Sequence, residues 1–522
     1  VRRLEEGPAQ RDALDDEIRR LAREQLSARG IRALVEELSP DDFLYEELTF
    51  RLGLIQLHVG DAANARSTLE TYLDAYPSGA FAARAQARLD ELAALENVQP
   101  GRLGVLLPLS GRHRSYGELA LQAIRLALPE GESPVELVVR DTKSDAVEAA
   151  EQAGALILEE GVVGILGPIF TYEARPAALE AQRLGVPLLT VSAARDIAEL
   201  GPFVFRNGVT NEVQMKALVA YVMDVLGMSR FAILYPEHPY GEELLHLFWD
   251  EVEARRGEIR GVESYSLQET TFSRQVKSLV ARDDIDRRSD YREAIRECDE
   301  QPDSYRKARC KENVRKNLAP IIDFDGIFIP DYPRSLSMIT AALAFEDVIV
   351  EQDPRRLRMI ERTLGRKIEP VTLLGASGWN SDKLIERADR NVENAIFTDG
   401  FFAGSDDPTT LEFVRRYRDS YGRTPRLYPE ALFYDSARIV GQVLEDRRPP
   451  TREAFREGLR GVHDFDGVTG KTSFRNGTDA EKTVHILTIR DGQITEVQPD
   501  QPRPGRGSAT GEDAASGGEP AP

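Results

Sequence analysis

VLLPLSGRHRSYGELALQAIRLAL, Val105 to Leu128, changes its period half-way. Its start is a continuous apolar run, the pattern of a strand buried on both faces. Its end repeats apolar residues at helical spacing. Between the two stand Pro108, Ser110, Gly111, Tyr116 and Gly117. In an open α/β sheet, ligands bind beyond the carboxyl ends of strands, where helix N-termini present N–H groups. Small residues there let backbone approach a ligand, and a tyrosine supplies a flat face with a polar handle.

The same unit recurs along the chain. From Arg102 onward the apolar runs LGVLLPL, VELVVRD, VVGILGP, VPLLTVS, FAILYPE, DGIFIPD and VTLLGAS are each followed by a helix-like stretch. That alternation predicts parallel sheets covered by helices, and this many strands over about 300 residues predicts two α/β lobes. The strand ends carry hydroxyls, glycines and tyrosines: Ser110 and Tyr116; Thr171 after VVGIL; Ser192, Ala193 and Ala194 after VPLLTV; Tyr240 after FAIL; Asp331 and Tyr332 after DGIFIP; Ser377 after VTLL. One such end is an ordinary helix cap. Together they suggest a cleft.

Several functions are disfavoured by what is missing. A net charge of −21 argues against a nucleic-acid partner. No run of about 18 apolar residues exists to cross a membrane. There is no HExxH and no GxSxG. Thr469-Gly-Lys-Thr472 resembles a phosphate loop, but Phe465 stands where its first glycine belongs, so a turn is the better reading. Ser304-Tyr-Arg-Lys307 lies in a polar segment without a pocket. The six histidines never fall at ligand spacing, so neither a metal nor another cofactor is expected, and the chain reads as non-enzymatic. Cys298 and Cys310 leave two alternatives, a disulfide closing a short loop or two thiols. The chain begins at Val1, so a signal peptide or longer N-terminus is expected to have been removed; no N-terminal Cys signals a lipid anchor.

Residues 1–98 read as all-helical, with Gly53, Gly60, Ala65 and Pro77 where a tetratricopeptide pattern wants small residues and a terminal proline. A plain helical hairpin is the alternative. Residues 281–319 are charged and poor in apolar residues, and read as a helical surface insertion, either a solvated flap or a partner-binding arm. The tail, residues 501–522, is rich in Pro, Gly and Ser, and is expected to be disordered.

Residues 102 to about 498 resemble the type I periplasmic binding proteins, specifically the leucine and branched-chain amino-acid receptors. The likeness is carried by GVLLPLSG…YGE, GILGP, LGVPLLTVSA, FVFRNG, FAILYPEHPYGEEL and FVRRYRDSYGRTPRLYPEALFYDSARIV. It implies two Rossmann-like lobes joined by a hinge. Lobe one would comprise 101–206 and 402–462, and lobe two 207–401 and 463–500. It also implies an amino-acid-like ligand in the cleft. Thr171 and the Ser192–Ala194 backbone would hold the carboxylate and ammonium, Tyr116 would cover the ligand, and Tyr240 and Tyr332 would close over it. The acid that pairs the ammonium in such receptors would fall at Ser377, where this chain has none, although Asp331 ends the strand before it. A helical part ahead of this fold resembles penicillin-binding protein activators, which implies a peptidoglycan synthase as partner instead of a membrane permease. Either resemblance implies the periplasm or cell envelope.

Overall fold

The computed structural model of the chain describes residues 8–131, 133–425, 427–475 and 477–497; the expected tail at 501–522 lies outside them. The N-terminal part is helical: Pro8–Gln25, Ala28–Glu37, Tyr45–His58, Ala62–Ala75 and Ala82–Glu96. Ser27 and Asp61 cap two of these helices by accepting backbone N–H groups. Gly53 is needed for their approach, since a Cβ there would stand 2.7 Å from Leu69 Cδ2. Ala65, Leu69, Tyr72 and Ala85 are fully enclosed beneath them.

The rest is built on two sheets. The first holds β1 Gln99–Leu107, β2 Glu136–Asp141, β3 Val162–Leu166, β4 Leu188–Thr190 and β5 Val204–Arg206, all parallel, in the order β2-β1-β3-β4-β5. Val105 and Leu107 face one core, under the helices Arg114–Ala127 and Tyr428–Arg447. Leu106, Ile165 and Leu188 face the other, under Ala146–Leu158 and Thr171–Arg183. Both faces are dry, which explains strands without polar alternation; each enclosed Leu or Ile contributes about 1.5–3 kcal/mol.

The second sheet takes β6 Arg230–Pro236, β7 Glu258–Tyr265, β8 Gly326–Phe328, β9 Thr372–Gly375 and β10 Ile396–Asp399 in parallel. A small antiparallel sheet of β11 Phe465–Gly467, β12 Gly470–Ser473 and β13 Glu481–Lys482 follows. The hairpin β14 His485–Arg490 and β15 Gln493–Glu496 then completes sheet two antiparallel to β10, in the order β15-β14-β10-β9-β8-β6-β7. The Thr469–Thr472 segment is the β11–β12 turn and the start of β12, with Gly470 at φ +84°.

One boundary differs from expectation. The strip 463–482, expected in lobe two, places Val468, Phe474 and Ala480 in the core of lobe one. Asp435, wholly enclosed on the helix Tyr428–Arg447, accepts Val468 N at 2.9 Å and Thr469 N at 2.8 Å and fixes the strip there. The chain returns to lobe two only at β14. Residues 281–319 contain the helices Ser289–Asp299 and Ser304–Asn317, joined by a disulfide between Cys298 and Cys310 with Cα atoms 5.5 Å apart.

Candidate functional site

The wall of lobe one is assembled where β1, β3 and β4 end. The helix that follows β1 lies so close over the strand exit that a Cβ on Gly117 would sit 2.1 Å from the Pro108 carbonyl oxygen. That approach brings Tyr116 to the rim, where it is 41% exposed. Asp141, at the end of β2, accepts Leu109 N at 2.8 Å, Ser110 N at 3.1 Å and Lys143 N at 2.8 Å. Burial raises its pKa, but hydrogen bonds from Ser110, Lys143 and Leu109 outweigh burial and hold its carboxyl below the ordinary range. Ser110 is therefore engaged in the loop: its carbonyl also accepts Ser144 Oγ at 2.9 Å.

Beyond β3, Thr171 opens the helix Thr171–Arg183, and its Oγ1 lies 3.0 Å from Ser192 Oγ beyond β4. Ser192 is fully enclosed and its Oγ accepts Ala194 N at 3.3 Å, which fixes the Ala193–Ala194 backbone. Four rings gather here. His113 lies on Phe170 at 4.1 Å, Tyr116 meets Phe170 edge-on at 5.7 Å, and Phe170 stacks with Tyr172 at 6.1 Å. The Arg112 guanidinium stands 4.7 Å over Tyr172.

The wall of lobe two is assembled where β6, β8 and β9 end. Pro239 and Pro333 start their helices, a position where the missing N–H costs nothing. Their neighbours Tyr240 and Tyr332 stack at 5.6 Å and 25°. Burial, with Tyr332 adding, pushes the Tyr240 phenol up, while a hydrogen bond with Ser377 pulls the other way. The Tyr332 phenol is raised by burial first and then by Asp331, with the Tyr116 phenol of lobe one adding to it. Asp331 is turned inward: Tyr265 Oη donates to its Oδ2 at 2.6 Å, and Tyr332 N to its Oδ1 at 2.7 Å.

Behind this wall, at the end of β10, lies Asp399. Asn380 Nδ2 donates to its Oδ2 at 2.8 Å and Gly400 N to its Oδ1 at 2.6 Å. Burial nonetheless raises its carboxyl to about 6. The segments that cross between lobes are tied by hydrogen bonds of their own. Val209 N donates to Tyr428 Oη at 2.8 Å, Asn207 Nδ2 to Ser436 Oγ at 2.8 Å, and Ser405 Oγ to Glu496 Oε2 at 2.9 Å.

Of the residues named from sequence, Tyr116, Thr171, Ser192, Ala193 and Ala194 share one wall, and Tyr240, Tyr332 and Ser377 the other. Ser110 and Asp331 stand at the same strand ends but are bound into their own lobes. Sequence reading passed over Arg112, His113, Phe170 and Tyr172. The signal was present, since Phe170 and Tyr172 flank Thr171 directly. It also passed over Tyr265, on an edge strand whose alternating polarity hid it. Among the described residues no cluster of His, Cys, Asp and Glu is arranged to hold a metal ion, and no helix is long and apolar enough to cross a membrane.

Two α/β lobes with facing strand ends and three hinge crossings define a two-lobed binding protein. The periplasmic binding protein family model matches residues 100–283 and 362–493, more than half of the chain, and the chain belongs to that family. A solved structure of a protein provisionally assigned as a branched-chain amino acid ABC transporter from Rhodospirillum rubrum is 22% identical, with a TM-score of 0.60, covering 76% of this chain and 99% of that one. A solute-binding protein of an ABC transporter from Rhodopseudomonas palustris, in complex with 3,4-dihydroxybenzoic acid, is 17% identical, with a TM-score of 0.51, covering 76% and 96%. At these identities the likeness is one of fold. Glutamate receptor 2.7 of Arabidopsis thaliana is 28% identical over 158 residues, 28% of this chain, and the chain spans only 16% of that receptor's length. These matches bear on the two-lobed part, and the likeness to penicillin-binding protein activators draws no support from them.

Proposed function

We propose that the chain is an extracytoplasmic solute receptor that closes two lobes over a small, amino-acid-sized ligand and presents it to a membrane permease or a sensor. The observation that carries the reading is the pairing of walls: Tyr116 and the Thr171 hydroxyl, braced by the enclosed Ser192, on one lobe, and Tyr240, Tyr332 and Ser377 on the other. A ligand touching both walls favours the closed state by its extra contacts there, and a ligand touching one wall shifts nothing. No step of bond making is assigned to any residue. The family's periplasmic character supports the location.

The test is thermal unfolding of the full chain against a broad panel of amino acids, organic acids, small peptides and sugars. A ligand at 100 times its Kd stabilises by about 2.7 kcal/mol. Stabilisation by one chemical class, with a smaller radius of gyration on binding, supports the receptor. Silence across the panel removes it.

A further inference from the structure

Resting on that receptor reading, we infer that the cleft takes a planar, ring-bearing carboxylate without an ammonium group, an aromatic acid in preference to an amino acid. Two independent observations lead there.

The first is the disposition of acids. A ligand ammonium enclosed in a cleft needs a carboxylate, because a buried unpaired charge is costly. Among the described residues, five acids at the strand ends each accept a hydrogen bond within their own lobe. Asp141 caps its own loop with three backbone N–H groups. Glu173 is fully enclosed and accepts Tyr172 Oη at 3.1 Å. Glu237 accepts Ser264 Oγ at 2.8 Å. Asp331 is held by Tyr265. Asp399 is enclosed under Asn380 and Gly400. The group that reaches Tyr240 from the end of β9 is the neutral hydroxyl of Ser377. The rim of lobe one carries the opposite sign in Arg112, whose guanidinium stands over Tyr172, next in the chain to the exposed hydroxyl of Thr171 that suits a carboxylate.

The second observation is the arrangement of rings. Tyr116 is 41% exposed on the rim of lobe one, and Tyr332 is 55% exposed on the wall of lobe two. The near-parallel Tyr240–Tyr332 stack gives one wall a flat π-face. The edge-on Tyr116–Phe170 pair, 85° between planes, gives the other wall both an edge and a face. A flat ring meets such walls by stacking on one and by edge-to-face contact with the other, each with a geometric preference that an aliphatic chain lacks.

The experiment is calorimetric titration of the full chain with matched pairs of probes. Phenylalanine and 3-phenylpropanoate differ only by the ammonium group; benzoate and cyclohexanecarboxylate differ in planarity. The expected result is that 3-phenylpropanoate binds about tenfold or more tighter than phenylalanine, and benzoate tighter than cyclohexanecarboxylate. Tyr332→Leu should erase most of the benzoate preference, and Ser377→Glu should reverse the ammonium discrimination. Phenylalanine or leucine binding as tightly as its deaminated twin overturns the inference and leaves the receptor standing. Equal binding of benzoate and cyclohexanecarboxylate overturns the ring. Silence from all four probes overturns the inference alone, because the receptor reading falls only if the broad panel is silent too.

Discussion

A Cβ on Gly117 would lie 2.1 Å from Pro108 O in the wall of lobe one; a Cβ on Gly378 would lie 2.4 Å from Asp331 O in the wall of lobe two. Both walls thus press the segment after one strand onto a strand exit, and both require a residue without a side chain to do so. Their electrostatics differ. In lobe one the carboxylate of Asp141 is tied to its own loop, leaving the Thr171 hydroxyl, the rings and the Arg112 guanidinium at the rim. In lobe two Asp331 is covered by Tyr265 and Asp399 by Asn380, leaving two tyrosines and a serine. The same steric device therefore carries two surfaces, and what separates them is where each lobe hides its acids.

Gly117→Ala should give the largest effect. The obstacle is backbone, not a flexible side chain, so the helix must lift off the strand exit, a loss of about 3 kcal/mol. Gly378→Ala should cost less, because its contact is longer. Urea unfolding of both variants checks the ranking, and equal losses would mean that the lobe-one exit is no tighter than its counterpart.

Asp399 comes next. Its carboxyl is raised to about 6 by burial, from an ordinary value of 3.8. A raised carboxyl favours folding while protonated. Its contribution is complete below about pH 4 and is lost as pH rises through about 6, a decline of about 3 kcal/mol. Asp399→Asn should flatten the stability profile across that window. A mutant profile parallel to that of the parent protein would remove Asp399 as the titrating group.

The part of this comparison legible in the sequence is the part made by short range. VLLPL, VVGIL and FAIL read as strands because both faces are dry, and the glycine, hydroxyl and tyrosine residues after them read as strand exits. β7 was not legible: EIRGVESY alternates polar and apolar residues on the edge of sheet two, without a continuous apolar run. β5 and β10 are three and four residues long, too short for a period to show. The stacking of Tyr240 on Tyr332, and the pairing of Tyr265 with Asp331, are made only when distant segments meet, so sequence named three of these residues without showing what each one faces. Asp331 looked like an open acid for the same reason.

Tyr265→Phe tests that pairing. Removing the phenol leaves Asp331 Oδ2 enclosed without its donor, at about 1–2 kcal/mol of stability. If Asp331 then turns toward the cleft, the wall of lobe two gains the acid it lacks, and affinity for phenylalanine should rise relative to 3-phenylpropanoate. A stability loss with unchanged discrimination would show that Asp331 is fixed by Tyr332 N alone.

Thr171→Val should have the smallest effect on folding and the most informative ratio. The Thr171 hydroxyl pairs with Ser192 Oγ at 3.0 Å, but Ser192 keeps Ala194 N when that partner is lost. The fold should lose about 1 kcal/mol or less. Ser192→Ala removes the acceptor that fixes the Ala193–Ala194 backbone and should cost the fold more. If the exposed Thr171 hydroxyl is the carboxylate-binding surface of lobe one, Thr171→Val must weaken ligand binding by more than it weakens folding, because the hydroxyl faces a charged partner only when ligand is present. Calorimetric affinity set beside the urea midpoint of the same variant measures both quantities. A loss seen in the midpoint alone would make Thr171 a brace for Ser192 and shift the ligand contacts of lobe one onto its rings.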